Sequence, residues 1–112
     1  MKEEELDHVF SALADPTRRR IIETVRERNC TVAELSSMFS ISLPAVSKHL
    51  KVLDRAELLK RERKGKFIYC SYNGQPLADA LQWIAEQQRF WKDSFTGLED
   101  YLNNLHNGNT GK

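Results

Sequence analysis

The sequence predicts a mostly α-helical domain carrying one β-hairpin, in the order four helices, two strands and a long last helix. Three observations predict it. Apolar residues recur at three- and four-residue spacing from the N-terminus to Arg55. The period then changes in "LLKRERKGKFIYCSY", where a glycine stands between two lysines and β-favouring residues follow. Beyond Pro76 a helical period returns and holds to Leu105.

The first helix, about 3–14, places Leu6, Val9, Phe10 and Leu13 on one face. The second begins in "ADPTRRRIIETVRER". Asp15 caps it, Pro16 fits its first turn, and Ile21, Ile22 and Val25 make its apolar face. Three arginines follow the proline, near the positive end of the helix, where cations are mildly unfavourable. Arg18 falls on the apolar side, so its stem is expected to be buried and its head paired. Arg19 and Arg20 point elsewhere, either towards phosphate or simply into solvent.

In the third helix, "NCTVAELSSMF", Thr31 and Glu34 have the spacing of a capping box, and Val32, Leu35 and Phe39 face inward. Residues 40–42 are a short break. The fourth helix runs from about Leu43 to Arg55. Ser42 caps it, and Pro44 is tolerated because first-turn N–H groups lack helical partners. The hairpin turns at Lys64-Gly65-Lys66 and ends at Asn73-Gly74.

The last helix, about 76–105, carries Leu77, Leu81, Ile84, Gln88, Trp91, Phe95, Leu98, Leu102 and Leu105 at gaps alternating between four and three. That is a heptad seam with one polar member. Such a helix would be about 43 Å long at 1.5 Å per residue, and Gly97 is a candidate kink. A stripe of this length exceeds what a small domain can cover. It predicts a homodimer through Leu6 and Phe10 of the first helix and Leu77, Leu81, Ile84, Trp91, Phe95, Leu98 and Leu102 of the last. The other reading is that the stripe covers its own domain. Residues 106–112 are expected to form a loose tail, so that residues 1–105 make one domain, as a chain of 112 residues suggests.

Composition narrows the function. The chain is 40% hydrophobic and 29% charged, with no apolar run of membrane length and no signal-peptide pattern in "MKEEELDHVF". A cytoplasmic protein is expected. The net charge of +1 is unevenly placed. Residues 1–15 hold one lysine against five acids, whereas residues 41–70 hold eight Lys/Arg against three acids. Such a stripe is an electrostatic footprint for polyanions. Cys30 and Cys70 lack metal-knuckle spacing and read as two half-buried thiols, with a redox pair as the other reading. No catalytic set, phosphate-binding glycine loop or metal cluster stands out, so no enzyme, metal or cofactor is expected.

Two short helices joined by a tight turn and followed by a basic hairpin describe a winged helix-turn-helix. The fourth helix divides as a recognition helix must. Val46, Leu50 and Leu53 gather on one side, and Pro44, Lys48, Lys51 and Arg55 on the other. Lys48 suits guanine acceptors or phosphate, Ser47 suits either, and Leu43 and Ala45 suit a thymine methyl. Lys51 and Arg55 lie further along and suit the backbone. Arg61, Arg63, Lys64 and Lys66 form the basic wing, suited to phosphates or a narrow minor groove. With Ser42, these are the predicted double-stranded DNA contacts. His49 reads as a hydrogen-bonded structural histidine.

The stretches "FSALADPTRRRII", "SLPAVSKHLKVL" and "KRERKGKFIYCSYN" resemble the ArsR/SmtB family of bacterial winged-helix repressors over roughly residues 8–73. The resemblance implies a homodimer built on the first and last helices, an inverted-repeat operator, and repression of the protein's own or a neighbouring operon. It places the helix-turn-helix at about Thr31 to Asp54. Metal-sensing relatives often carry Cys-x-Cys where this chain has Thr31 and Ala33, which cannot replace thiolates. The last helix has only one histidine, His106, near its end. The chain is therefore similar to the metal-independent, autorepressor-like members. The competing class is a dimeric winged-helix module that binds protein and leaves its basic stripe solvated.

Overall fold

The computed structural model describes residues 1–110, and among these the chain forms five helices and three strands. The order is α1 (Glu3–Leu13), α2 (Pro16–Glu27), β1 (Cys30–Thr31), α3 (Val32–Phe39), α4 (Leu43–Arg55), β2 (Leu59–Lys64), β3 (Phe67–Tyr72) and α5 (Gln75–Thr110). Mostly helical with a hairpin wing is the fold class the sequence predicts. The structure adds β1, which pairs antiparallel with β3 so that the sheet order is β1-β3-β2.

Caps set the helix boundaries. Asp15 accepts from Arg18 N–H at 3.0 Å, and Thr31 and Glu34 close a capping box with two bonds of 3.1 Å. Ser42 accepts from Ala45 N–H at 3.2 Å and starts α4 with Pro44 in its first turn. At the other ends α3 and α4 close alike. Ser40 N–H donates to Ser37 O and Ile41 N–H to Ser36 O, with Ser40 left-handed at φ 52°. Glu57 N–H donates to Asp54 O and Leu58 N–H to Leu53 O, with Glu57 at φ 58°. Both are Schellman closures, which satisfy the last carbonyls and turn the chain sharply. The first makes the tight turn between α3 and α4.

Residues 1–80 form one compact unit. Its core gathers Val9 and Ala12 of α1, Ile21, Ile22 and Val25 of α2, Leu35 of α3, and Val46, Leu50 and Leu53 of α4. Leu58, Leu59 and Cys70 bring the hairpin into the same cluster. Asn73 ties the hairpin's end to the end of α4, its N–H donating to Leu58 O and its side chain to Glu57 O, both at 2.8 Å.

Residues 81–110 form a second unit, made of α5 alone. α5 has 36 residues, about 54 Å at 1.5 Å per residue. Its helical run is continuous through Gly97, the candidate kink position. It also continues through residues 106–110, which were read as tail; residues 111–112 lie outside the described residues. A helical glycine costs only about 1 kcal/mol, so Gly97 and Gly108 weaken the helix without stopping it.

Candidate nucleic-acid interface

The helix-turn-helix is α3, the Ser40–Ser42 turn and α4. Val46, Leu50 and Leu53 are fully buried and bolt α4 to the domain. On its other side Leu43 is 55% exposed, and Pro44, Lys48, Lys51 and Arg55 are exposed; Ala45 and Ser47 are half-buried beside them. The structure therefore brings together on one helix every contact residue predicted there. Lys48, Lys51 and Arg55 form no ion pair among the described residues. The first turn of α4 also holds no acid, so the positive end of its dipole is left uncompensated. Ser42 is exposed as well, with its hydroxyl oxygen engaged in the cap.

The wing is β2 and β3 joined by a two-residue turn, Gly65-Lys66, one residue tighter than the sequence suggests. Gly65 has φ +62° while Lys66 does not enter the positive region, which is the pattern of a type II′ hairpin turn. The register pairs Arg61 with Cys70, Arg63 with Ile68 and Lys64 with Phe67. Alternation puts Arg61 and Arg63 on the face of buried Cys70, and Lys64 on the opposite face with Tyr69.

The four predicted wing cations thus differ in their surroundings. Arg61 is ion-paired to Asp54 of α4, which braces the wing against the recognition helix and takes up that charge internally. Arg63 is exposed and forms no ion pair among the described residues. Lys64 lies over the Tyr69 ring at 6.0 Å and Lys66 over the Phe67 ring at 5.8 Å. Phe67 is itself 46% exposed at the wing tip and was missed in the sequence, where an aromatic in a strand reads as core.

The basic run of α2 is mostly committed inside the chain. Arg18 donates to Ser11 O and Ala12 O, and Arg19 donates to Leu13 O at 2.6 Å, so Arg19 is not the loose surface arginine the wheel implied. Arg26 pairs with Glu27 and Arg28 with Glu34. The Arg28 guanidinium and the Thr31 N–H hold the Glu34 carboxyl below the usual carboxylate range. Arg20 is exposed and forms no ion pair among the described residues, and the other exposed cations outside an ion pair gather mainly on α4 and the wing.

Cys30 and Cys70 are cross-strand partners and fully buried, not half-buried. β1 is two residues long, too short to leave a periodic signal, so their meeting was invisible in the sequence. Both thiols are free, and burial pushes both up, Cys70 to about 11. Such groups make poor nucleophiles and poor metal ligands at neutral pH. At the Cys-x-Cys positions, Thr31 is buried in the α3 cap and Ala33 is exposed. Among the described residues no group of three or more His, Cys, Asp or Glu side chains is placed to hold a metal ion. No described helix is long and apolar enough to cross a membrane.

Along α5, Leu81, Ile84, Trp91, Phe95, Leu98 and Leu102 are 64%, 38%, 59%, 60%, 52% and 52% exposed. Leu6 and Leu77 are half-buried against the core, and Phe10 is 37% exposed. Trp83, Phe90 and Tyr101 are exposed as well and widen the apolar arc beyond the single stripe that the heptad spacing predicts. They stand off the heptad positions, where a search confined to one period does not look.

Residues 15–61, from the cap of α2 into β2, match the family model described as "Bacterial regulatory protein, arsR family". The chain is 39% identical over 79 residues to the transcriptional repressor SdpR of Bacillus subtilis, covering 70% of this chain and 88% of that protein. It is 36% identical over 96 residues to the transcriptional regulator Rv2034 of Mycobacterium tuberculosis, covering 86% and 87%. Its fold matches the crystal structure of the ArsR family transcriptional regulator RHA00566 with a TM-score of 0.76 at 33% identity, over 82% of this chain and 95% of that one. With a recognition helix and basic wing of this geometry, the chain belongs to the ArsR family and is a DNA-binding transcriptional regulator.

Proposed function

We propose that the protein is a homodimeric repressor that binds an inverted-repeat operator and silences its own or a neighbouring operon. The observation that carries this reading is the division of α4, buried along Val46, Leu50 and Leu53 and exposed, with unopposed charge, along Leu43, Pro44, Lys48, Lys51 and Arg55. Each copy seats the N-terminal half of α4 in a major groove. Lys48 and Ser47 meet base edges there, and Leu43 and Ala45 meet thymine methyls. Lys51, Arg55, Arg63, Lys64 and Lys66 hold phosphates, which supplies affinity rather than sequence choice. Arg61 contributes mainly by bracing the wing through Asp54.

The dimer rests on α1 and α5. The exposed apolar strip of α5 seeks cover, and its width exceeds a two-helix seam, which favours α1 of the second copy joining in. Among the described residues no third ligand stands with the two buried thiols, which supports a metal-independent reading; the proposal places the regulator in the cytoplasm and gives it no catalytic step. The name of SdpR, a transcriptional repressor, supports repression over activation.

Salt titration of operator binding tests the reading. A dimer making roughly 6–10 phosphate contacts loses about 10³–10⁵ in affinity between 50 and 200 mM salt. Lys48→Ala is expected to weaken binding and relax base preference at one position per half-site. Wild-type binding without sequence preference would favour the protein-interaction module instead.

A further inference from the structure

Arg18 stands where three helices meet. Its backbone N–H is capped by Asp15 Oδ2 at 3.0 Å. Its guanidinium donates to Ser11 O at 2.8 Å and Ala12 O at 3.0 Å, near the C-terminal end of α1. Arg19 takes up Leu13 O, so the last three carbonyls of α1 are all held by α2. A terminal nitrogen of Arg18 then lies 3.4 Å from Nδ1 of His49, on α4 beside Lys48. Asp15 Oδ2 lies 3.9 Å from the same ring nitrogen. A guanidinium only donates, so this contact is a hydrogen bond in the His49 tautomer that leaves Nδ1 as the acceptor. The His49 side chain is 22% exposed, turned into this junction while its neighbour Lys48 is exposed.

α1 and α4 also share the apolar core, through Val9 and Ala12 on one side and Val46 and Leu50 on the other. Side-chain packing holds a helix pair within a class of crossing angles that carries about 15–20° of scatter. A planar guanidinium fork is more exacting, because its bonds weaken steeply as their angles open. The fork grips α1 with two bonds, and its third contact, to His49 at 3.4 Å, adds a directional link to α4 on top of the shared core.

We propose that Arg18 and His49 are positioning residues that lock α4 to α1 at one angle, and so set the half-site separation that a dimer accepts. The proposal rests on the homodimeric reading above, in which α1 belongs to the interface and α4 to the groove. Helix-turn-helix dimers bind half-sites about one turn apart, roughly 34–36 Å or 10–10.5 base pairs. Adding one base pair moves a half-site by about 3.4 Å and rotates it by about 34° on that geometry. A rigid pair of readers rejects such a change, and a loosened pair tolerates it.

The test measures affinity of full-length protein for duplexes that carry the same half-sites at the preferred spacing and at one base pair more or fewer. The readout is the ratio of affinities. A variant that merely lowers the folded fraction scales every affinity alike and leaves the ratio unmoved. Wild type is expected to discriminate by about tenfold or more, equivalent to about 1.4 kcal/mol. His49→Leu, which removes the acceptor, is expected to erase most of that ratio. His49→Asn, which offers an acceptor oxygen near the Nδ1 position, is expected to restore it. Arg18→Met is expected to behave as His49→Leu does; if it fails to fold, the two His49 variants decide the matter. Full spacing discrimination in His49→Leu would overturn the proposal while leaving the dimer reading intact. A wild-type protein indifferent to spacing would overturn both.

Discussion

Phe95→Ala removes an aromatic ring that is 60% exposed within the chain and whose ring contact is Trp91 on the same helix, 6.1 Å away between centroids. Folding of the protomer therefore depends little on it. Assembly should depend on it strongly. An aromatic side chain buries roughly 150–250 Å² when fully enclosed, so about 100–150 Å² of Phe95 is left for a second copy to cover. At about 25 cal/mol per Å² that is roughly 2.5–3.8 kcal/mol for each ring. A two-fold dimer loses two rings, and taking about half of each ring's exposed area as covered by the partner, with the Cβ retained, halves that figure. The expected cost is about 3 kcal/mol, or roughly a hundredfold in the dimer dissociation constant. Sedimentation velocity over a concentration series measures it. Circular dichroism on the same samples shows whether helicity survives. A variant that dimerises within about threefold of wild type would refute the placement of Phe95 in the interface, since threefold corresponds to only about 0.7 kcal/mol.

Three further outcomes are expected. The Arg18 N–H, aided by the Arg18 charge and opposed by burial, holds the Asp15 carboxyl below its usual range. Its contribution to stability is complete above the unfolded-state value, roughly 3.9, and is lost as pH falls through the folded-state value. Asp15→Asn should thus lower the urea midpoint at pH 7 and flatten its decline below pH 4; parallel acid profiles would count against the cap. Glu57→Gly relieves a left-handed backbone at a helix C-terminus and should raise stability by about 0.5–1 kcal/mol, read from the same urea curves; a lower midpoint would show that the Glu57 side chain matters there. Cys70, pushed up to about 11 by burial, should resist a thiol-specific disulfide reagent at pH 7 until denaturant opens the sheet; rapid native labelling would contradict the closed β1-β3 pairing.

Legibility in the sequence followed the length of the physical signal. α4 was readable because capping serine, first-turn proline and an apolar face coincide over thirteen residues. The hairpin was readable because Gly65 stands between two lysines, after a charged run and before a run of β-favouring residues. β1 left no trace, since two residues have no period, and with it went the Cys30–Cys70 adjacency. Helix stops at Ser40 and Glu57 use left-handed serine and glutamate where glycine is the usual marker, so the first break is legible only from the Ser42 cap and the second only from the change of period. Charge was the least transparent. The sequence shows where Arg19 and Arg61 fall on their elements, but only the fold shows that one caps α1 and the other braces α4. Side chains that look alike in a basic run are sorted by which internal carbonyl or carboxylate lies within reach.

Selection of bound duplexes from a random-sequence DNA pool, at a fixed salt near 150 mM, bears most directly on the reading of α4 as a groove reader in a two-fold pair. Wild-type protein should enrich an inverted repeat whose half-sites lie about one helical turn apart, and Lys48→Ala should enrich the same repeat with one position per half-site relaxed. Enrichment of no common sequence, or of a single unpaired half-site, would contradict it.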